Sequence, residues 1–234
     1  MRTNADLKTY VRTRLNGRWT RPVLVSGICL SAELIHFVVL MPFALASGPM
    51  AAILGTAISF ILSLLAYLLT AGEARFHLAF LRGEEPAIID MFSVLKESPD
   101  RFLVLGFVWL LPGLLPSVAE LCIPSVFQNP VASICLGAFS LLLSVICHCF
   151  LALSLYLLVD DPSLGAGAAM RMSAGFMRGR KLRYFGLVLS FAGYYVLGIL
   201  SLCIGLLFVY PYFHLSTAAF YLDTLVRITQ QRQA

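Results

Sequence analysis

Charge is what this sequence lacks. Of its 234 residues, 12% are Asp, Glu, Lys or Arg and 59% are hydrophobic. An average soluble domain runs at about 25% charged and about 45–50% apolar. Twelve acids stand against 17 Lys and Arg, and the mean hydropathy is +0.87. So little polar surface excludes a soluble globular domain, and the same scarcity excludes a disordered chain. Positive charge is missing altogether from runs of 53, 69 and 43 residues, at 22–74, 102–170 and 184–226. Also missing are a phosphate loop, a nucleophile elbow, a zinc-protease helix motif and paired catalytic carboxylates. No catalytic residue, cofactor or enzymatic activity is therefore expected.

The 17 basic residues fall in four blocks: Arg2–Arg21, Arg75–Arg101, Arg171–Arg183, and Arg227 with Arg232. A helix needs about 20 apolar residues to cross a bilayer, so each charge-free run holds two crossings and a turn. The reading is an all-α polytopic transmembrane bundle, a single domain over 1–234, with six spans as three hairpins. The spans are 22–43, 50–70, 102–121, 131–159, 184–201 and 205–226. Every basic block then lies on one side, which the positive-inside rule makes cytoplasmic, with both termini. A five-span alternative, with 184–210 as one long helix stopping at Pro211, would put Arg227 and Arg232 outside, against that rule. Ala44-Leu45-Ala46 has the form of a signal cleavage site. The apolar run before it is about 22 residues, too long for a signal core, so the first span is read as uncleaved.

Three segments remain outside the bilayer. At 1–21, Leu7, Tyr10, Val11 and Leu15 recur at helical spacing among basic residues, with Thr3 and Asp6 as a capping box and Gly17 as a stop. Such a helix lies on an anionic leaflet and orients the chain. At 71–101, short interfacial helices around Phe76, Phe80, Ile88, Phe92 and Leu95 flank a break at Gly83–Pro86. At 160–183, Asp161-Pro162 reads as an N-cap and first helical residue, leading through Leu164, Ala168, Met172 and Phe176 to a basic cluster. In that cluster Arg178, Arg180, Lys181 and Arg183 are candidate contacts for lipid head groups. The expected partners are membrane lipids, with another membrane protein or a second copy of the chain as further options, and no nucleic acid.

Ionisable residues within spans are functional candidates by default. Glu33 and His36 share a face of the first span, three residues apart. His148 is near the middle of the fourth span and His214 of the sixth. If those faces converge, the four make an intramembrane polar site for a small transporter or channel component; otherwise they are helix-to-helix hydrogen bonds. Cys147-His148-Cys149 looks like a metal motif, but consecutive helical residues point about 100° apart, so no metal site is expected. The remaining cysteines read as packing residues, with a Cys122–Cys135 disulfide unsupported. Pro112, Pro116 and Pro211 should kink their spans, and Gly137, Gly186, Gly193, Gly198 and Gly205 favour close helix contact.

The C-terminal third carries a family pattern: Asp161-Pro162, Ser173, Met177, Gly179, Lys181, Phe185, Leu189-Ser190-Phe191, Gly193, Gly205, Pro211-Tyr212 and Phe220-Tyr221. Near the start, Leu7-Lys8, Leu15, Gly17 and Trp19 add to it. This resembles the bacterial integral membrane family called domain of unknown function 975. The chain departs from that pattern at Arg180 and at Tyr194 or Tyr195, where members often carry His and Trp. It also lacks the Ile-Pro-Gly-Ile type motif before Asp161. The resemblance implies a multi-pass protein of the bacterial plasma membrane and implies no activity. The combined expectation is a non-catalytic membrane protein that binds lipid or a partner at its cytoplasmic face, with the Glu/His transporter as the alternative.

Overall fold

The computed structural model describes residues 3–46, 48–97, 99–123, 129–201 and 204–233, and those residues contain helices and no strand. In chain order come α1 (Asn4–Leu15), α2 (Thr20–Leu45), α3 (Pro49–Arg82), a 3-10 helix (Ile88–Leu95) and α4 (Pro99–Cys122). Then follow α5 (Pro130–Leu151), α6 (Ser154–Asp160), α7 (Ala166–Phe176), α8 (Lys181–Leu200) and α9 (Leu206–Gln233). Among the described residues, five stretches are long and apolar enough to cross a membrane: Thr20–Leu45, Met50–Arg82, Pro99–Cys122, Pro130–Asp160 and Lys181–Leu200. The last helix, α9, is less apolar over its length, and its residues 215–221 are all buried, including Ser216 and Thr217.

Contacts gather the basic blocks at one end of the molecule. Arg18 pairs with Glu85 at 3.7 Å and Arg82 with Asp160 at 2.5 Å. Arg101 donates to the carbonyls of Pro162 and Leu164. Asn4 donates to the Arg183 carbonyl, and Asp223 receives Arg183 at 2.9 Å and Arg227 at 3.3 Å. Each charge-free run therefore leaves this end and returns to it. Most of the core also sits here: Leu7, Val11 and Leu15 of α1, Phe76 and Leu81 of α3, and Phe220 of α9 are all buried. Farther along α2 and α5, Leu34, Phe37, Leu45, Ile134 and Leu141 stand outward, as on helices made to meet hydrocarbon.

Four local features differ from the sequence reading. The second span was drawn to end at residue 70, with a loop from 71. Instead α3 runs on to Arg82 and stops at Gly83, whose φ of 91° suits glycine. Ala71, Glu73, Ala74 and His77 on this extension are buried, so protein contacts rather than lipid stabilise it. The stretch 131–159 is two helices, broken at Ala152–Leu153. Ser173 bridges that break: its hydroxyl donates to the Phe150 carbonyl at 2.7 Å and accepts from Leu153 N–H at 3.3 Å. Asp161 does not cap α7, which begins at Ala166 behind Gly165. It accepts from the Ser163 hydroxyl and N–H instead, and those bonds hold its carboxyl below the usual range. Finally, α1 carries the expected Thr3–Asp6 capping box, but its apolar face packs on α8 and α9 rather than on a leaflet. Burial against Phe191 and Tyr194 lowers the pKa of Lys8, which donates to the Ser190 carbonyl.

Helix breakers are matched by partners. Pro116 has no N–H to offer the Pro112 carbonyl one turn back, and Ser140 of α5 donates to that carbonyl at 2.6 Å. Of the expected contact glycines, Gly198 and Gly205 do meet, whereas nothing lies within 4 Å of a Cβ on Gly137 or Gly193. Two close approaches were not expected, and that at Gly72 is tighter than at Gly198 or Gly205. A Cβ on Gly72 would fall 2.0 Å from the Met91 carbonyl oxygen, and one on Gly106 would fall 2.7 Å from Tyr67.

Candidate functional site

A cavity of about 460 Å³ lies between α2, α3, α4, α5, α8 and α9. Glu33, His36, His148 and His214 all line it. Their convergence follows from local helix geometry. Glu33 and His36 sit one turn apart on α2, with the imidazole Nδ1 3.9 Å from the carboxylate and Nε2 3.1 Å from the Ser59 hydroxyl of α3. His148 faces inward from α5 just before the helix break, and its Nε2 is 2.9 Å from the Tyr184 hydroxyl. His214 enters from α9 with its ring 4.4 Å from Tyr210. The walls are aromatic: Tyr67, Trp109, Tyr184 and Tyr210 line the same space.

A second, apolar groove of about 350 Å³ opens between α4, α5 and α8. It shares Trp109, Leu110, His148 and Tyr184 with the cavity, so one partition of four side chains separates them. That partition holds a hydrogen bond, His148 to Tyr184, and an edge contact, Trp109 to His148 at 5.5 Å. One carboxylate, three imidazoles and several π faces can hold a compact cation or a hydrogen-bonding head group. A lipid-like tail has room beyond the partition.

Sequence reasoning passed over the fourth histidine, His77, together with Glu73. Both fall in the segment 71–101, read as short interfacial helices outside the bilayer, yet both are 0% exposed. The signal was present: Leu68, Ala71, Ala74, Leu78 and Leu81 continue a helical apolar pattern, with Glu73 and His77 one turn apart within it. The basic cluster also differs from a free lipid-binding face. Arg183 turns to Asp223, Lys181 lies 3.4 Å over the Phe150 ring and Arg180 donates to the Phe176 carbonyl. Arg178 is exposed, as are Arg12 and Arg14 on the outward side of α1 and Arg18 just after it. Cys122, Cys135, Cys147 and Cys149 are free thiols, and Cys203 lies outside the described residues.

A family model described as a protein of unknown function, DUF975, matches residues 1–228. No curated protein matches the chain, and no solved structure does. Many of the residues that carry the pattern build the inner core: Leu7, Leu15, Phe191, Phe220 and Tyr221 are buried, Ser173 bridges the α5–α6 break, and Gly179 has a φ of 72°.

Proposed function

Because the chain belongs to the DUF975 family, whose function is unassigned, we propose from its geometry that it binds and carries a small amphiphilic cation within a membrane, without catalysing a reaction on it. The observation that carries this reading is the convergence of Glu33, His36, His148 and His214, from three separate helices, on one cavity. Glu33 supplies the negative charge, and Trp109, Tyr67 and Tyr184 offer π faces that attract cations. The apolar groove behind Trp109 and His148 accommodates the tail. In this reading the membrane is a bacterial plasma membrane and the basic end is cytoplasmic.

The same reading takes six crossings, with α8 and α9 as the third hairpin. Its support is the Arg183–Asp223 contact, which returns the chain to the basic end after α8. The 20 residues of α8 rise about 30 Å, enough for one crossing. A reporter that is active only outside the cytoplasm stays silent when fused after residue 234; an active fusion refutes the topology.

The test of binding uses tetraphenylphosphonium as the probe and the fluorescence of Trp109 as the readout. The parent protein is quenched in a saturable way, and Trp109→Phe loses that component. Glu33→Gln weakens binding about tenfold or more, the scale of one charge-assisted contact. Absent saturable quenching in the parent, or equal affinity in Glu33→Gln, overturns the reading. A second reading, anionic lipid at the cytoplasmic face, is favoured by the exposed Arg12 and Arg14 of α1, by Arg18 after it and by Arg178. Native mass spectrometry of the detergent-extracted protein distinguishes the two, because retained phospholipid and oligomeric state are read together.

A further inference from the structure

Below the cavity, toward the basic end, lies a buried ionisable pair that the cavity does not use. Glu73 and His77 are one turn apart on α3, and neither side chain is exposed at all. Glu73 Oε1 accepts the Ser26 hydroxyl of α2 at 2.5 Å, while Oε2 has no hydrogen-bond partner. Both ring nitrogens of His77 also lack one, and Nε2 lies 3.9 Å from Glu73 Oε1. Three orphaned polar atoms in one buried place are costly in any fixed protonation state: a lone carboxylate or imidazolium there has no solvent to stabilise it. A movable proton resolves this: a protonated Glu73 carboxyl leaves no lone buried charge, and His77 Nε2, 3.9 Å from Oε1, is near enough to exchange that proton after a small movement.

The surroundings point to where the proton comes from. Cys29 of α2, Tyr156 of α6, Tyr195 of α8 and Tyr210 of α9 are titratable groups that face Glu73, with Glu33 of α2 beyond Cys29 and Tyr210. None of these brings a positive charge. His214 of α9 is the link to the outside: its ring centroid is 6.3 Å from that of His77, and it lines the cavity. We propose that Glu73 and His77 form a proton-binding site, loaded and emptied through His214. The proton leaves an imidazolium at His214, crosses by ring rotation or one bridging water to His77, which passes it to the Glu73 carboxylate; the return runs the same way. The site does not depend on which solute the cavity takes.

Infrared difference spectra of the full chain in phospholipid vesicles, between about pH 5 and about pH 8, read this site directly. The parent gives a buried carboxylic C=O band that titrates. Glu73→Gln abolishes it, and His77→Asn moves its midpoint by about one pH unit or more. His214→Phe keeps the band but slows its hydrogen–deuterium exchange by about 10²-fold. Should Glu73→Gln fail to fold, Ser26→Ala removes only the hydrogen bond at Oε1 and shifts the frequency of the same band. Spectra unchanged in both Glu73→Gln and Ser26→Ala overturn the proposal, and so does exchange indifferent to His214→Phe.

Discussion

Replacing Gly72 by Ala adds one methyl group where the backbone of another element already lies. The new Cβ falls 2.0 Å from the Met91 carbonyl oxygen and 2.8 Å from its carbon. Ordinary contact begins near 3.4 Å, so the 3-10 helix must retreat by about 1.4 Å, the difference between 3.4 and 2.0. The obstacle is backbone, and a rotamer change cannot relieve it. Overpacking of this kind costs about 1–3 kcal/mol. If the 3-10 helix lifts off altogether, Met91 and Val94, each 1% exposed, lose their burial at about 1.5–3 kcal/mol apiece. The expected cost is thus about 3 kcal/mol, between local strain and full detachment. For a chain of this size that lowers Tm by about 6–12 °C. The assay is thermal unfolding of the detergent-solubilised protein, followed by size-exclusion of the surviving monodisperse fraction. Gly137→Ala and Gly193→Ala are the controls, since open space surrounds both and alanine is the better helix former. A Gly72→Ala protein that melts with those controls refutes the reasoning.

Two more substitutions test the packing of the bundle. Ser140→Ala strands the Pro112 carbonyl and costs about 1–3 kcal/mol, read as a drop in Tm; in a Pro116→Ala background, where the helix supplies its own N–H, the same change becomes nearly silent. Asp223→Ala removes the shared counter-ion of Arg183 and Arg227, whose side chains are 15% and 22% exposed, and costs about 2–4 kcal/mol. Asp223→Asn keeps a hydrogen bond and retains part of that stability, and the two variants are ranked by unfolding in the same detergent.

Particular residues mark how far the sequence was readable. The Thr3–Asp6 capping box, the stop at Gly83 and the long apolar helices were legible because each depends on neighbours within a turn. That the basic blocks share one end was legible from their spacing alone. The extension of α3 was not, since Glu73, Arg75 and His77 look too polar to continue a span until other helices cover Glu73 and His77. Arg183 was read as a lipid contact because Asp223, its partner, is 40 residues away. The break at Ala152 was invisible for a similar reason: the hydroxyl that bridges it belongs to Ser173.

By itself, then, the sequence determined that this chain is helical and apolar, with its cations collected at one end of the hairpins. Those properties are sums over local composition and spacing, and no fold is needed to evaluate them. Only the tertiary structure decided which polar residues meet. The convergence of Glu33, His36, His148 and His214, the burial of Glu73 beside His77, and the capture of Arg183 by Asp223 all depend on helices distant in sequence packing in one register. A rotation of any one helix by 100°, a single residue's step, would separate them.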